Sequence, residues 1–163
     1  FGRLRERDRV LVGLSGGKDS LTLLHVMLEM ARRAPFKVEV AAATVDPMTP
    51  EYDPSPLRDY VTSLGVPYHL LSKPLIEMAK DKMNPKRPSI CSFCSRMKRG
   101  MLYSCCRDHG YTCLALGQHL DDACESFLMS MFHNGILKTM KAHYDIQQGD
   151  VRVIRPLMFL REA

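Results

Sequence analysis

Ser15-Gly16-Gly17-Lys18-Asp19-Ser20 gathers two hydroxyls, two adjacent glycines, a cation and a carboxylate into six residues. The apolar run Val10-Leu11-Val12 precedes it, and Leu21, Leu23, Leu24, Met27 and Leu28 follow at helical spacing. The hexapeptide therefore reads as a turn between a buried strand and a helix N-terminus, where unpaired N–H groups and the helix dipole attract phosphate. Gly16 and Gly17 let the backbone approach an anion without a Cβ, and Lys18 adds a mobile positive charge. Two common phosphate loops are excluded. A G-x-x-x-x-G-K-[ST] loop fails because Asp19 follows Lys18 and Val12 stands at the first glycine position. A G-x-G-x-x-G fingerprint fails because Leu14 and Ser15 follow Gly13. A plain glycine turn explains one glycine pair, but not the whole hexapeptide in this position.

Gly117-Gln118-His119-Leu120-Asp121-Asp122 places an imidazole and two carboxylates after another apolar run. Either aspartate alone reads as a helix cap, and a lone histidine as structural. Together, beside a phosphate loop, they read as groups that order a nucleotide or hold Mg²⁺. Cys91-Ser92-Phe93-Cys94 is a third group. A thioredoxin-like pair belongs after a first strand, and this one is elsewhere. A zinc ribbon needs a second ligand pair that the chain does not supply at that spacing. An unliganded turn and half of an iron–sulfur site both fit what is left. Cys105, Cys106, Cys113 and Cys124 read as small core residues, and His25, His69, His109, His133 and His143 carry no signal.

These groups need a scaffold. Strand patterns cover 9–14, 38–45, 68–71, 113–116 and 151–154, the last stopped by Pro156. Helical patterns cover 20–33, a segment opened by Ser55-Pro56 and ended by Gly65, 75–83, 91–109 and 121–134. Residues 84–89 read as a proline-bounded loop and 136–150 as a polar connector. The alternation predicts an α/β fold: a doubly wound, mostly parallel sheet with helices on both faces, forming a single domain over 1–163. Ligands of such sheets sit beyond the carboxyl ends of the strands, which brings Ser15–Ser20, Val45-Asp46 and Gly117–Asp122 to one rim.

The chain has 163 residues, 45% hydrophobic and 25% charged, which suits a globular domain rather than a disordered or membrane-spanning segment. Its opening at Phe1 reads as an excerpt of a longer protein. The net charge of +5 is too mild to establish nucleic-acid binding. Basic residues nevertheless cluster at Arg3, Arg5, Arg7 and Arg9, at Lys80, Lys82, Lys86 and Arg87, and at Arg96, Lys98 and Arg99 behind the cysteine pair.

Ser15–Ser20 resembles the PP-loop of ATP pyrophosphatases, whose domains have the adenine nucleotide alpha hydrolase-like fold. The stretch from Cys91 through Ser95-Arg96 to Gly100-Met101-Leu102-Tyr103 resembles the cysteine motif of tRNA 2-thiocytidine synthetases, the TtcA family. Gly117–Asp122 resembles that family's G-H-H-x-D-D motif, with Gln118 in place of a histidine, and Val153-Ile154-Arg155-Pro156-Leu157 its I-R-P-L segment. The resemblance implies ATP-dependent thiolation of an anticodon-loop cytidine in tRNA, by adenylation of the C2 oxygen and its replacement with sulfur. Lys18 and Asp19 are then catalytic, and Ser15, Gly16, Gly17, Lys18, Asp19, Ser20, Gly117, His119, Asp121 and Asp122 hold ATP and Mg²⁺. Cys91 and Cys94 become ligands of a [4Fe-4S] cluster whose third cysteine lies downstream of the I-R-P-L segment, outside this chain. The implied partners are tRNA and a sulfur donor such as a cysteine desulfurase, with no membrane, in the cytoplasm; a homodimer is compatible. Rival readings are a 2-thiouridine synthetase, a PP-loop ligase for small molecules, and a non-enzymatic nucleotide- or zinc-binding module.

Overall fold

The computed structural model describes residues 4–82, 90–147 and 149–162, without the side chains of Asp81, Lys82, Ile90, Cys91 and Ser92. The chain runs through β1 (Arg9–Leu14), α1 (Lys18–Arg33), β2 (Glu39–Asp46), α2 (Ser55–Ser63), β3 (Tyr68–Ser72) and α3 (Leu75–Lys82). It continues through α4 (Ile90–His109), β4 (Cys113–Ala115), α5 (Leu120–Asn134), β5 (His143–Asp145) and β6 (Arg152–Ile154). The strands form a six-stranded sheet in the order β3-β2-β1-β4-β6-β5, parallel except where β5 meets β6.

Side chains alternate across a strand, so each central strand feeds two cores. Val10, Val12 and Leu14 pack with Leu23, Leu24 and Met27 of α1 and with Val61 of α2. Leu11, Leu114 and Val153 pack on the other face with Leu75 of α3 and Met101, Leu102, Cys105 and Cys106 of α4. Helices thus cover both faces, as the alternation predicts. The chain winds from β1 outward to β3, then crosses back to place β4 on the other side of β1. This reversal opens a crevice beyond the carboxyl ends of β1 and β4, where an α/β sheet binds its ligand.

The elements follow the sequence reading with three physical differences. The connector 136–150 contains β5, a polar three-residue edge strand that takes its hydrogen bonds from β6. Such a strand is built by its neighbour and shows no period of its own. Helix α1 begins at Lys18, two residues before the expected start at Ser20, because extended Gly17 already serves as its N-cap. Cys124 is exposed rather than core: α5 turns Ala123 inward, and Cys124 lies around the helix from it. Cys105, Cys106 and Cys113 are buried, and burial pushes their thiols up to about 11, 12 and 12. The predicted loop 84–89 lies outside the described residues. Among those described, no helix is long and apolar enough to cross a membrane.

At the amino ends of the strands, the Asp8 carboxylate accepts from Arg152 at 2.6 Å, from the Arg5 amide at 2.6 Å and from the Thr112 hydroxyl at 3.1 Å. Asp8 and Arg152 are both buried. The pair ties the entries of β1, β4 and β6 together, opposite the crevice. Removing one partner strands the other charge, so Asp8→Ala is expected to lower stability by about 3–5 kcal/mol, read from the urea midpoint.

Candidate active site

Strand β1 delivers the phosphate loop into the crevice. Gly16 turns the chain at φ +87°, a conformation that a side chain resists, and Gly17 caps α1 without a side-chain acceptor. The first-turn N–H groups of α1 are thereby left for an anion. Ser20 is buried and locks the loop from within: its hydroxyl donates to the Gly17 carbonyl at 2.8 Å and accepts from the Ser15 amide at 3.2 Å. Lys18 and Ser15 remain exposed.

Strand β4 brings the second motif against this loop. A Cβ on Gly117 would stand 3.3 Å from the Asp19 carbonyl oxygen and 3.4 Å from Ser20 Cα, so only glycine fits this approach comfortably. His119 is the buried N-cap of α5. Its amide donates to Asp122 Oδ2 at 2.9 Å and its Nδ1 accepts from the Asp122 amide at 3.4 Å, a capping box in which histidine replaces the usual hydroxyl. Accepting at Nδ1 puts the ring proton on Nε2. That atom faces Asp122, Glu162 and Asp19 at 3.5, 3.7 and 3.9 Å.

Glu162 had no sequence signal and is the unexpected member of the site. The Leu120 amide donates to the Leu160 carbonyl, folding the chain after β6 back over the start of α5. The Glu162 amide then donates to Asp121 Oδ2 at 2.6 Å, and its carboxylate meets Lys18 Nζ at 2.5 Å. This contact holds the Glu162 carboxyl below its ordinary range and the Lys18 amine above its own. Ligand atoms of Asp19, His119 and Glu162 all lie within 4.8 Å of one another.

The loop, Gly117, Gln118 and Asp122 form one wall of a cleft of about 670 Å³. Ala43, Val45, Pro47 and Tyr52 form an apolar side from β2 onward, and Ser95, Lys98, Arg99 and Leu102 of α4 complete the lining. Cys91 stands one turn before Ser95 along α4, and half-buried Cys94 packs against the core. The predicted cysteine pair is therefore at the first turn of the helix that walls the cleft. Gln118, the departure from the sequence motif, accepts at 2.8 Å from Nε of Arg155, which is buried.

A PP-loop domain family matches residues 2–163. The chain belongs to the PP-loop family. It is 44% identical over 162 residues to a tRNA-cytidine(32) 2-sulfurtransferase of Pelobacter propionicus, covering 99% of this chain and 60% of that protein. A namesake from Stenotrophomonas maltophilia is 39% identical over 163 residues, covering 100% of this chain and 53% of that protein. The chain thus spans little more than half the length of these relatives. The U34-tRNA thiolase NcsA of Methanococcus maripaludis, solved with its [4Fe-4S] cluster, shares the fold at a TM-score of 0.76 and 24% identity, over 98% of this chain and 54% of that one. An NH3-dependent NAD synthetase of Campylobacter jejuni shares it more loosely, with a TM-score of 0.55 and 19% identity, over 98% of this chain and 61% of that one.

Gly117→Ala is expected to shift the phosphate loop by a few tenths of an ångström and weaken ATP binding by about tenfold in calorimetry, with a smaller effect on thermal unfolding.

Proposed function

We propose that this chain is the ATP-handling domain of a tRNA-cytidine 2-sulfurtransferase, acting on cytidine 32 of the anticodon loop. The observation that carries the reading is the cleft itself, which has the phosphate loop as its first wall and is also lined by the cysteine-bearing helix α4. A small-molecule ligase needs only the first wall. The names of relatives near 40% identity favour cytidine over uridine.

In this reading the ATP pyrophosphate lies on the first turn of α1 and the adenine on the apolar side made by Val45, Pro47 and Tyr52. The C2 oxygen of cytidine attacks the α-phosphorus, forming an O–P bond as the bond to pyrophosphate breaks. Charge develops on the leaving pyrophosphate, and the loop amides, Ser15 and the Lys18 ammonium stabilise it there. Lys18 must release Glu162 to do so. Mg²⁺ prefers oxygen ligands, so Asp19 and Glu162 are the fitting carboxylates, while His119 and Asp122 keep the α5 cap in place. A sulfur nucleophile then attacks C2, the C2–O bond breaks, and AMP leaves with the oxygen.

The donor set near the cleft fits part of an iron–sulfur cluster: two cysteines, Cys91 and Cys94, three residues apart at a helix start. The third cysteine implied by the family resemblance lies downstream of the I-R-P-L segment, a position that Cys105, Cys106, Cys113 and Cys124 do not match. When bound, the cluster supplies sulfur chemistry beside the activated base. The sulfur source is a donor such as a cysteine desulfurase, and the setting is the cytoplasm.

A second cleft of about 800 Å³ adjoins the first through Arg99, Met140 and Arg155. Arg96, Arg99, Lys138 and Lys141 line it with Tyr103 and Tyr144, whose hydroxyls meet at 2.9 Å. Cationic groups with aromatic rings suit a nucleic-acid backbone and an unstacked base.

Lys18→Ala is expected to abolish tRNA-stimulated pyrophosphate release in the full-length enzyme while leaving its melting temperature near wild type; near-normal turnover would remove Lys18 from the reaction. Lys138→Ala with Lys141→Ala is expected to flatten the plot of log tRNA affinity against log salt, by roughly 0.7–0.9 for each phosphate no longer neutralised. An unchanged slope would place the tRNA elsewhere.

A further inference from the structure

Cys105 lies in the penultimate turn of α4 and His109 one turn later on the same face. His69, on β3, reaches the same place. None of the three lines either cleft described above. We propose that His69, Cys105 and His109 form a second metal site, suited to a zinc-type divalent ion and separate from the nucleotide and cysteine-pair chemistry.

One ligand atom from each residue lies within 4.8 Å of the other two. His109 Nδ1 stands 3.9 Å from Cys105 Sγ and 3.1 Å from the Cys105 carbonyl oxygen, a contact that ligation through Nδ1 replaces, and the two imidazole centroids are 4.2 Å apart at a tilt of 52°. Zinc bonds of about 2.0–2.3 Å put tetrahedral ligand atoms roughly 3.5 Å apart, so modest side-chain turns close the set. Two nitrogens and a sulfur form a donor set of the zinc type, with a fourth position left for water.

Neighbouring groups already restrain the ligands. The Tyr111 hydroxyl is 2.8 Å from His69 Nε2, the kind of outer partner that orients a ligating ring. Arg9 donates to the His109 carbonyl at 2.7 Å and to the Gly110 carbonyl at 3.2 Å, fixing the end of α4. Cys105 is buried while His109 is exposed, so an ion enters from the histidine side and meets the thiol last. Binding forms the metal–sulfur bond as the Cys105 thiol proton passes to solvent.

The test removes competing thiols first. A chain carrying Cys91→Ser, Cys94→Ser and Cys124→Ser is titrated anaerobically with Co²⁺, a spectroscopic stand-in for zinc. The expected result is one thiolate-bound Co²⁺ per chain, with visible ligand-field bands and a sulfur-to-cobalt charge-transfer band, displaced by Zn²⁺. Adding Cys105→Ser is expected to erase the charge-transfer band. Adding His109→Gln, an exposed position, is expected to weaken Co²⁺ binding by about tenfold or more, with the metal-free melting curve unchanged. Absence of the bands in the triple variant would overturn the site, as would their full retention in the His109→Gln chain. Neither result bears on thiolation, because the readout is Co²⁺ bound by residues outside both clefts.

Discussion

The site depends on how closely β4 can lie beside the start of α1. Gly117 meets the backbone of Asp19 and Ser20 at a distance where a Cβ would already crowd it. That approach sets the second acidic motif within reach of the phosphate loop and defines one wall of the cleft. It is possible because β1 and β4 are adjacent strands at the point where the winding reverses. Burial drives the arrangement from beneath: β1 and β4 are the sheet's centre, enclosed by apolar side chains on both faces.

Around this junction, carboxylates outnumber cations. Asp19, Asp121, Asp122 and Glu162 crowd the loop, and Lys18 and the His119 ring sit among them. His119 and Asp122 satisfy each other's backbone in the α5 cap. The Lys18–Glu162 contact lies on an exposed surface, so it is weak and exchangeable. An anionic ligand can therefore take Lys18 from Glu162 without a large structural cost.

Most of the framework was legible because it is local. The hexapeptide 15–20 carries its own strand, turn and helix start, and the alternation of patterns dictates the winding. Long-range features were not legible. Residues 143–145 have no strand pattern and become β5 only through pairing with β6. Glu162 is an isolated acid in sequence and gains meaning from the return of Leu160 onto Leu120. His69 and His109 are far apart in the chain with nothing to link them, until β3 and α4 bring their rings together. The exposure of Cys124 was not legible because a weakly amphipathic helix leaves its phase ambiguous: Ala123 faces inward and the neighbouring cysteine does not.

The central claim is that the cleft activates the C2 oxygen of a tRNA cytidine for replacement by sulfur. It is tested most directly by nucleoside mass spectrometry of tRNA from cells lacking their own 2-thiocytidine activity, supplied with the full-length protein or its Cys94→Ser variant. The account expects 2-thiocytidine with the intact protein and none with the variant. Thiolated uridine without 2-thiocytidine, or 2-thiocytidine at normal levels with the variant, would contradict it.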